Sequence, residues 1–217
     1  PEITMLEWYR VGMTIDDLMT EVVALVCEVL GEALSCEKIS YRDAFERALG
    51  IDPFKVTTAE LANLSRKLCH YDGPEMSHDD YLGLLLADQI EPSLGRGSLG
   101  VLHSYPASQA SLAQIEVDEF GQRVAQRFEL YLNGLEIANA YHELQDANEQ
   151  RLRFEEDNAQ RIALGLPEIP IDERLLRGFK YGLPDCSCVA LGLGRLLMVK
   201  LDYSTIDELL DFPVSLS

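Results

Sequence analysis

Three glutamates on one apparent hairpin are the most chemically suggestive feature of this 217-residue chain. Phe128-Glu129-Leu130-Tyr131-Leu132 and the run from Leu135-Glu136 to His142-Glu143 flank Asn133-Gly134, the strongest short-range hairpin signal there is. Glu129, Glu136 and Glu143 repel one another there unless something cationic sits between them. Phe128, Leu130, Leu132, Leu135 and Ile137 make the surroundings apolar, so burial would make unpaired charge costly. A solvated sheet face is the plain alternative. Simple alternation puts Asn139, Tyr141 and Glu143 on one face and Glu136 on the other. A bulge near Ala138 would reunite them; without it the cluster is two half-sites.

Glu7 and Tyr9 form a second pair, one strand step apart on the same face. A carboxylate beside a phenol could read an ammonium group, or the two could be ordinary surface residues. A third signal is Ala190-Leu191-Gly192-Leu193-Gly194-Arg195. Its glycines let a flat or phosphorylated ligand approach the backbone, and an Arg at a helix start can hold a phosphate. It is neither a Rossmann nor a Walker loop. The four histidines match no His-Glu-x-x-His motif and no nucleophile triad, since Asp146 stands where the second His would be. Five scattered cysteines make an odd count and no disulfide framework, which points to reduced thiols in the cytoplasm. Cys186-Ser-Cys188 and Cys69-His70 are zinc half-sites only.

These groups need elements to position them. Pro1 to Arg10 reads as a strand, and Thr14 caps a helix that Gly31 stops. Ser40, Thr57 and Ser77 start three more helices, so residues 14–91 look like a helical insertion between sheet elements. Pro92 to Gly100, with three glycines, reads as a linker. Leu99 to Ser104 is a short strand, and Val124–Leu132 with Leu135–Leu144 is the hairpin. Helices over Asp146–Leu164 and Asp172–Tyr181 follow, then a strand over Val189–Gly194 and a helix from Arg195. The whole is an α+β domain. With 37 acidic and 18 basic side chains the net charge is −19, which argues against a broad nucleic-acid-binding face and against DNA as a partner. Anionic substrates would need local cations or Mg2+. No apolar run is long enough to span a membrane.

In order along the chain, these segments resemble the catalytic domain of class II lysyl-tRNA synthetases. Pro1-Glu2-Ile3-Thr4-Met5-Leu6-Glu7-Trp8-Tyr9 is similar to the second strand of class II motif 2, and Phe128–Leu144 to the lysine- and ATP-binding hairpin. Gly182-Leu183-Pro184-Asp185-Cys186 through Arg195-Leu196-Leu197-Met198 is similar to motif 3. Tyr105-Pro106-Ala107-Ser108-Gln109-Ala110-Ser111-Leu112-Ala113-Gln114, Tyr141-His142-Glu143-Leu144 and Leu183-Pro184-Asp185-Cys186-Ser187 resemble more closely the elongation factor P lysine ligases, a paralogous family without an anticodon-binding domain.

The resemblance implies an antiparallel sheet flanked by helices, in one catalytic domain over residues 1–217. It implies ATP-dependent activation of lysine or β-lysine as an adenylate and transfer to a lysine of elongation factor P. Glu129 and Glu136 would hold Mg2+ at the ATP phosphates, Arg195 the terminal phosphate, and Gly192 would leave room for the nucleotide. Glu7, Tyr9, Asn139, Tyr141 and Glu143 would line the amino-acid site, with Ala138 favouring β-lysine because lysyl-tRNA synthetases carry Gly there. Motif 1, which builds the family's homodimer, and the first strand of motif 2, whose Arg grips the α-phosphate, would precede Pro1, leaving the domain N-terminally incomplete. Arg10 or Arg96 could supply that charge instead. Gly194 stands in place of an Asp, and Cys188 and Ala140 in place of glycines. A lysyl-tRNA synthetase fragment and a non-catalytic nucleotide- or amino-acid-binding paralogue are the alternatives.

Overall fold

A computed structural model describes residues 3–213. Strand β1 (Met5–Val11) leads into α1 (Ile15–Leu30), β2 (Cys36–Ser40), α2 (Tyr41–Leu49), α3 (Thr58–Leu68) and α4 (His78–Leu85). Then come β3 (Leu99–Pro106), β4 (Ile115–Val117), β5 (Arg123–Leu132) and β6 (Leu135–His142). Helices α5 (Ala147–Ala163) and α6 (Glu173–Gly182), strand β7 (Cys186–Gly192) and helix α7 (Leu193–Lys200) complete the order. The local signals explain most of these boundaries. Thr14, Thr57 and Ser77 cap α1, α3 and α4 in reciprocal capping boxes with Asp17, Glu60 and Asp80. Gly31 and Gly50 end α1 and α2 in the left-handed conformation. Asn133 and Gly134 both take positive φ, 53° and 78°, as a two-residue hairpin turn requires.

The strands form one sheet in the order β1-β7-β6-β5-β3-β2, with β4 beside β5. Every pairing is antiparallel except β2 with β3. The fold is therefore α+β, as expected. The stretch 14–91, however, is not wholly helical. Cys36–Ser40 returns to the sheet as its parallel edge strand, because a parallel partner needs a crossover and α2, α3 and α4, between β2 and β3, supply it. Nor is Pro92–Gly100 a free linker. A Cβ on Gly95 would lie 2.4 Å from the Tyr131 carbonyl oxygen, and one on Gly100 would lie 2.6 Å from the Gly95 amide nitrogen. The glycines let this segment lie directly against the hairpin, where Asn133 and Gly134 donate to the Gly95 and Leu94 carbonyls. The strand expected at Val189–Gly194 starts earlier, at Cys186, and ends at Gly192.

The two faces of the sheet are covered unequally. Leu18, Val22 and Val26 of α1 and Leu196 of α7 pack on Phe128, Leu130, Ala138, Ala140, Val189 and Leu191. Each fully buried aliphatic side chain there stabilises the fold by about 1.5–3 kcal/mol. On the other face, α2, α3 and α4 send Tyr41, Phe45, Leu61 and Tyr81 onto Leu102, Tyr105 and Tyr131. That helical cover lies over β2, β3 and β5. Among the described residues no helix of that layer covers the same face of β6, β7 and β1, and most of the candidate residues stand there.

Candidate functional site

Register decides which side chains share the bare face. Leu130 pairs with Ala138 but Tyr131 pairs with Glu136, so Ile137 is an extra residue in β6. This is the bulge that reunites the acidic residues. Glu136 now opposes Tyr131, Asn139 opposes Glu129, and Tyr141 opposes Arg127, all on one face. Across the sheet, Cys188 opposes Tyr141 and Tyr9, while Ala190 opposes Asn139 and Glu7. Leu6, Trp8 and Arg10 alternate to the far face, where Trp8 and Arg10 both donate to Glu21.

At the seam between the covered and bare halves lies Glu129, only 7% exposed. Its Oε2 accepts from the Tyr105 hydroxyl at 2.6 Å and the Tyr131 hydroxyl at 2.5 Å, and its Oε1 accepts from Arg127 at 2.5 Å. The Arg127 guanidinium stacks over the rings of Tyr105 and Tyr141, 4.3 and 5.5 Å from their centroids, and also donates to Asn139 Oδ1 and the Gln109 carbonyl. Glu129 is thus clamped from several sides. Arg127 and the two tyrosines do the clamping, and only Tyr131 figured on the hairpin in sequence. The alternation Arg127–Glu129–Tyr131 along β5 was the signal available for Arg127.

Glu136 is held differently. Arg195 Nη1 donates to its carbonyl oxygen at 2.8 Å and to its Oε2 at 3.2 Å. Burial, then the charge of Glu129, raise the Glu136 carboxyl above the ordinary value, and Arg195 offsets part of that. Glu91, just before the Pro92–Gly100 segment, joins this group. Its Oε1 lies 3.1 Å from the Tyr131 hydroxyl, and burial followed by the charges of Glu129 and Glu136 raises its carboxyl too. A dication would relieve this mutual repulsion. Mg2+ uses one or two protein carboxylates together with waters and phosphate oxygens, so Glu136 with Glu129 behind it fits such an ion. Among the described residues no three or more His, Cys, Asp or Glu side chains gather as a metal cluster.

A second subsite lies at the other end of β6, toward β7 and β1. Glu143 is 5% exposed, and the Cys188 thiol donates to its Oε1 at 2.5 Å. Burial raises the Glu143 carboxyl above its ordinary range. Tyr9, 57% exposed, has its phenol raised by partial burial, then by Cys188, Glu143 and Glu7. Below them His142 contacts Ser187 Oγ at 2.8 Å and Asp185 at 2.9 Å, while Ser187 donates to the Met13 carbonyl. Although Ser, His and Asp meet here, Ser187 is fully buried with its proton committed. The trio pins β7 to the end of β1.

A family model described as tRNA synthetases class II (D, K and N) matches residues 1–216. The chain belongs to that family. Over 216 residues it is 47% identical to the elongation factor P–(R)-β-lysine ligase of Proteus mirabilis, and 46% identical to that of Klebsiella pneumoniae subsp. pneumoniae. Each match covers 99% of this chain and 66% of the relative, so the chain spans just under two thirds of the length of these curated relatives.

Within this class II synthetase domain, Glu7, Tyr9, Glu129, Glu136, Asn139, Tyr141, Glu143, Gly192 and Arg195 come to one face or its rim. Ala138 does not. Alternating with Asn139 and Tyr141, it and Ala140 face the core beneath α1 and α7, where Ala138 is 2% exposed. Any influence of its methyl group on substrate choice has to pass through the backbone of Asn139. Gly192 caps α7, and a Cβ there would meet only ordinary contacts at 3.6 Å or more, so folding alone does not demand glycine. At Gly194 a Cβ would come within 2.8 Å of Ile206, whose side chain fills the space that the family's Asp would need. Arg10 is turned away to Glu21, and Arg96 donates to the Pro92 carbonyl, so Arg127 and Arg195 are the cations tied to the site's carboxylates.

Proposed function

We propose that residues 1–217 belong to a single catalytic domain of a protein that activates lysine or β-lysine with ATP and passes the acyl group to a lysine side chain of elongation factor P. The observation that carries this is the division of the bare face into two acidic subsites of different character. Around Glu143, Glu7 and Tyr9 a buried carboxylate has a thiol as its side-chain partner, so an ammonium group would satisfy it far better. Around Glu136, Glu129 and Arg195, acid and guanidinium stand together, which suits a metal-bound triphosphate. Mg2+, held by Glu136 and Glu129, would neutralise phosphate charge in the family's chemistry. The names of the two ligase relatives favour a protein acceptor over tRNA, and the −19 charge agrees.

In this reading Glu143, Glu7 and Tyr9 hold one amino group, and Asn139 and Tyr141 line the path of the chain. Arg195 faces the phosphates. The substrate carboxylate attacks the α-phosphorus, the bond to pyrophosphate breaks, and the acceptor amine later displaces AMP from the carbonyl. Positioning and charge compensation account for the rate, with no protein nucleophile needed. A cytoplasmic location and a homodimer of the full-length protein belong to the same proposal.

ATP–pyrophosphate exchange with lysine, (R)-β-lysine and no amino acid tests it, followed by transfer of label to elongation factor P and to tRNA. Exchange that requires a diamino acid, with label on elongation factor P, is the expected result. Exchange independent of diamino acids would overturn the activation step. Label on tRNA instead would replace the acceptor.

A further inference from the structure

Cys188 occupies a place that the chemistry above leaves without a role. It stands on β7 between Tyr9 on β1 and Tyr141 on β6, half-buried, with its sulfur turned to the buried Glu143 carboxylate. The backbone around that carboxylate is pinned: the Glu143 amide donates to the Cys186 carbonyl at 3.0 Å, and Gln114 donates to the Glu143 carbonyl at 3.0 Å. What remains free is the side-chain torsion of Glu143, and the Cys188 thiol restrains it through Oε1, leaving Oε2 to meet a ligand. The sulfur also stands in the row between Tyr9 and Tyr141, so its bulk lies against the Glu143 carboxylate where a glycine would leave open space.

We propose that Cys188 is a positioning and specificity residue, which orients Glu143 and closes the inner end of the ammonium pocket so that diamino acids are selected by chain length. This rests on the reading of Glu143 as the ammonium acceptor. Burial and the neighbouring Glu143 carboxylate push the Cys188 thiol well above its ordinary range, so it stays a protonated donor rather than a nucleophile. The other titratable groups around Glu143 are Tyr9 and Glu7 from β1, His142 beside it, Cys186 from β7 and Asp185 just before that strand. None of them makes a hydrogen bond to its carboxylate among the described residues.

Calorimetry of the 217-residue chain with ornithine, lysine and homolysine, which differ by one methylene each, tests the proposal. One methylene in a closed pocket is worth about 10–200-fold in discrimination. The wild-type chain should prefer lysine to homolysine within that range. Cys188→Gly, which removes both donor and sulfur, should cut the preference at least about tenfold, whereas Cys188→Ser, which keeps a donor of similar reach, should hold it within about threefold. Ratios of affinity do not depend on how much of a variant is folded. An unchanged ratio in Cys188→Gly, or a Cys188→Ser ratio that collapses like the glycine one, would overturn the proposal. If the wild-type chain binds none of the three, the ammonium-site reading itself fails, and this proposal with it.

Discussion

Two glutamates that look alike in sequence do different work in the structure. Glu129 is clamped by two phenols and Arg127, whereas Glu136 shares one oxygen with Arg195 and carries a carboxyl raised by burial and by Glu129. Glu136→Gln should therefore weaken Mg-ATP binding by about 1–3 kcal/mol in calorimetry, the cost of losing a charged partner. Unchanged affinity would remove Glu136 from the nucleotide subsite. Glu143 makes a different prediction, about stability. Its folded carboxyl is raised above the ordinary 4.5, so the native state binds that proton more tightly than the unfolded chain. The stability tied to it is complete below about pH 4.5 and is lost as pH rises through the raised value. Glu143→Gln, which cannot ionise, should raise the melting temperature by about 2–4 °C at pH 8, roughly 1 kcal/mol for a chain of this size, and have little effect at pH 4. Amine affinity should fall in the same variant. A lower melting temperature at pH 8 would show that the ionised carboxylate is better satisfied than its single thiol partner suggests.

At the scale of elements, the hairpin and the segment that packs on it form one device. Its strand limits were legible because Asn133-Gly134 is a local turn signal, and the need for a bulge was legible from the mismatch between Glu136 and Asn139. What could not be read was that the Pro92–Gly100 stretch braces the hairpin. Its lack of periodicity looks the same whether the segment is free or pressed against backbone. Gly95 tests the brace. It has φ of 67° and no space for a Cβ beside the Tyr131 carbonyl. Gly95→Ala should destabilise by about 1–3 kcal/mol from the strained conformation alone, more once Tyr131 is displaced. Denaturant unfolding measures this directly. A loss below about 0.5 kcal/mol would mean that the segment yields easily and does not position Tyr131.

For the whole molecule, the charge of −19 sets the terms on which a nucleotide can approach. Arg195 and Arg127 are both paired with glutamates, so neither offers a surplus cation to a bare triphosphate. ATP in EDTA should bind at least about tenfold more weakly than Mg-ATP, and raising the salt concentration should narrow that gap by screening the general repulsion. Equal affinity with and without Mg2+ would place the triphosphate against cations other than these two. Among the described residues no helix is long and apolar enough to cross a membrane.

The chain's sequence alone determined its helix caps, its two-residue hairpin turn, its α+β class and, through long motif strings, its family. Caps and turns depend on groups within about four residues of one another, so their free energy is decided locally. Only the tertiary structure decided that Ile137 is the bulged residue, that Glu136 thereby joins the face of Asn139, and that β2 joins the sheet from within a helical stretch. It alone brought Arg127, Tyr105 and Glu91 around Glu129, and Cys188 onto Glu143, 45 residues away in sequence. Those contacts depend on strand register across the sheet, where a shift of one residue sends every side chain to the opposite face.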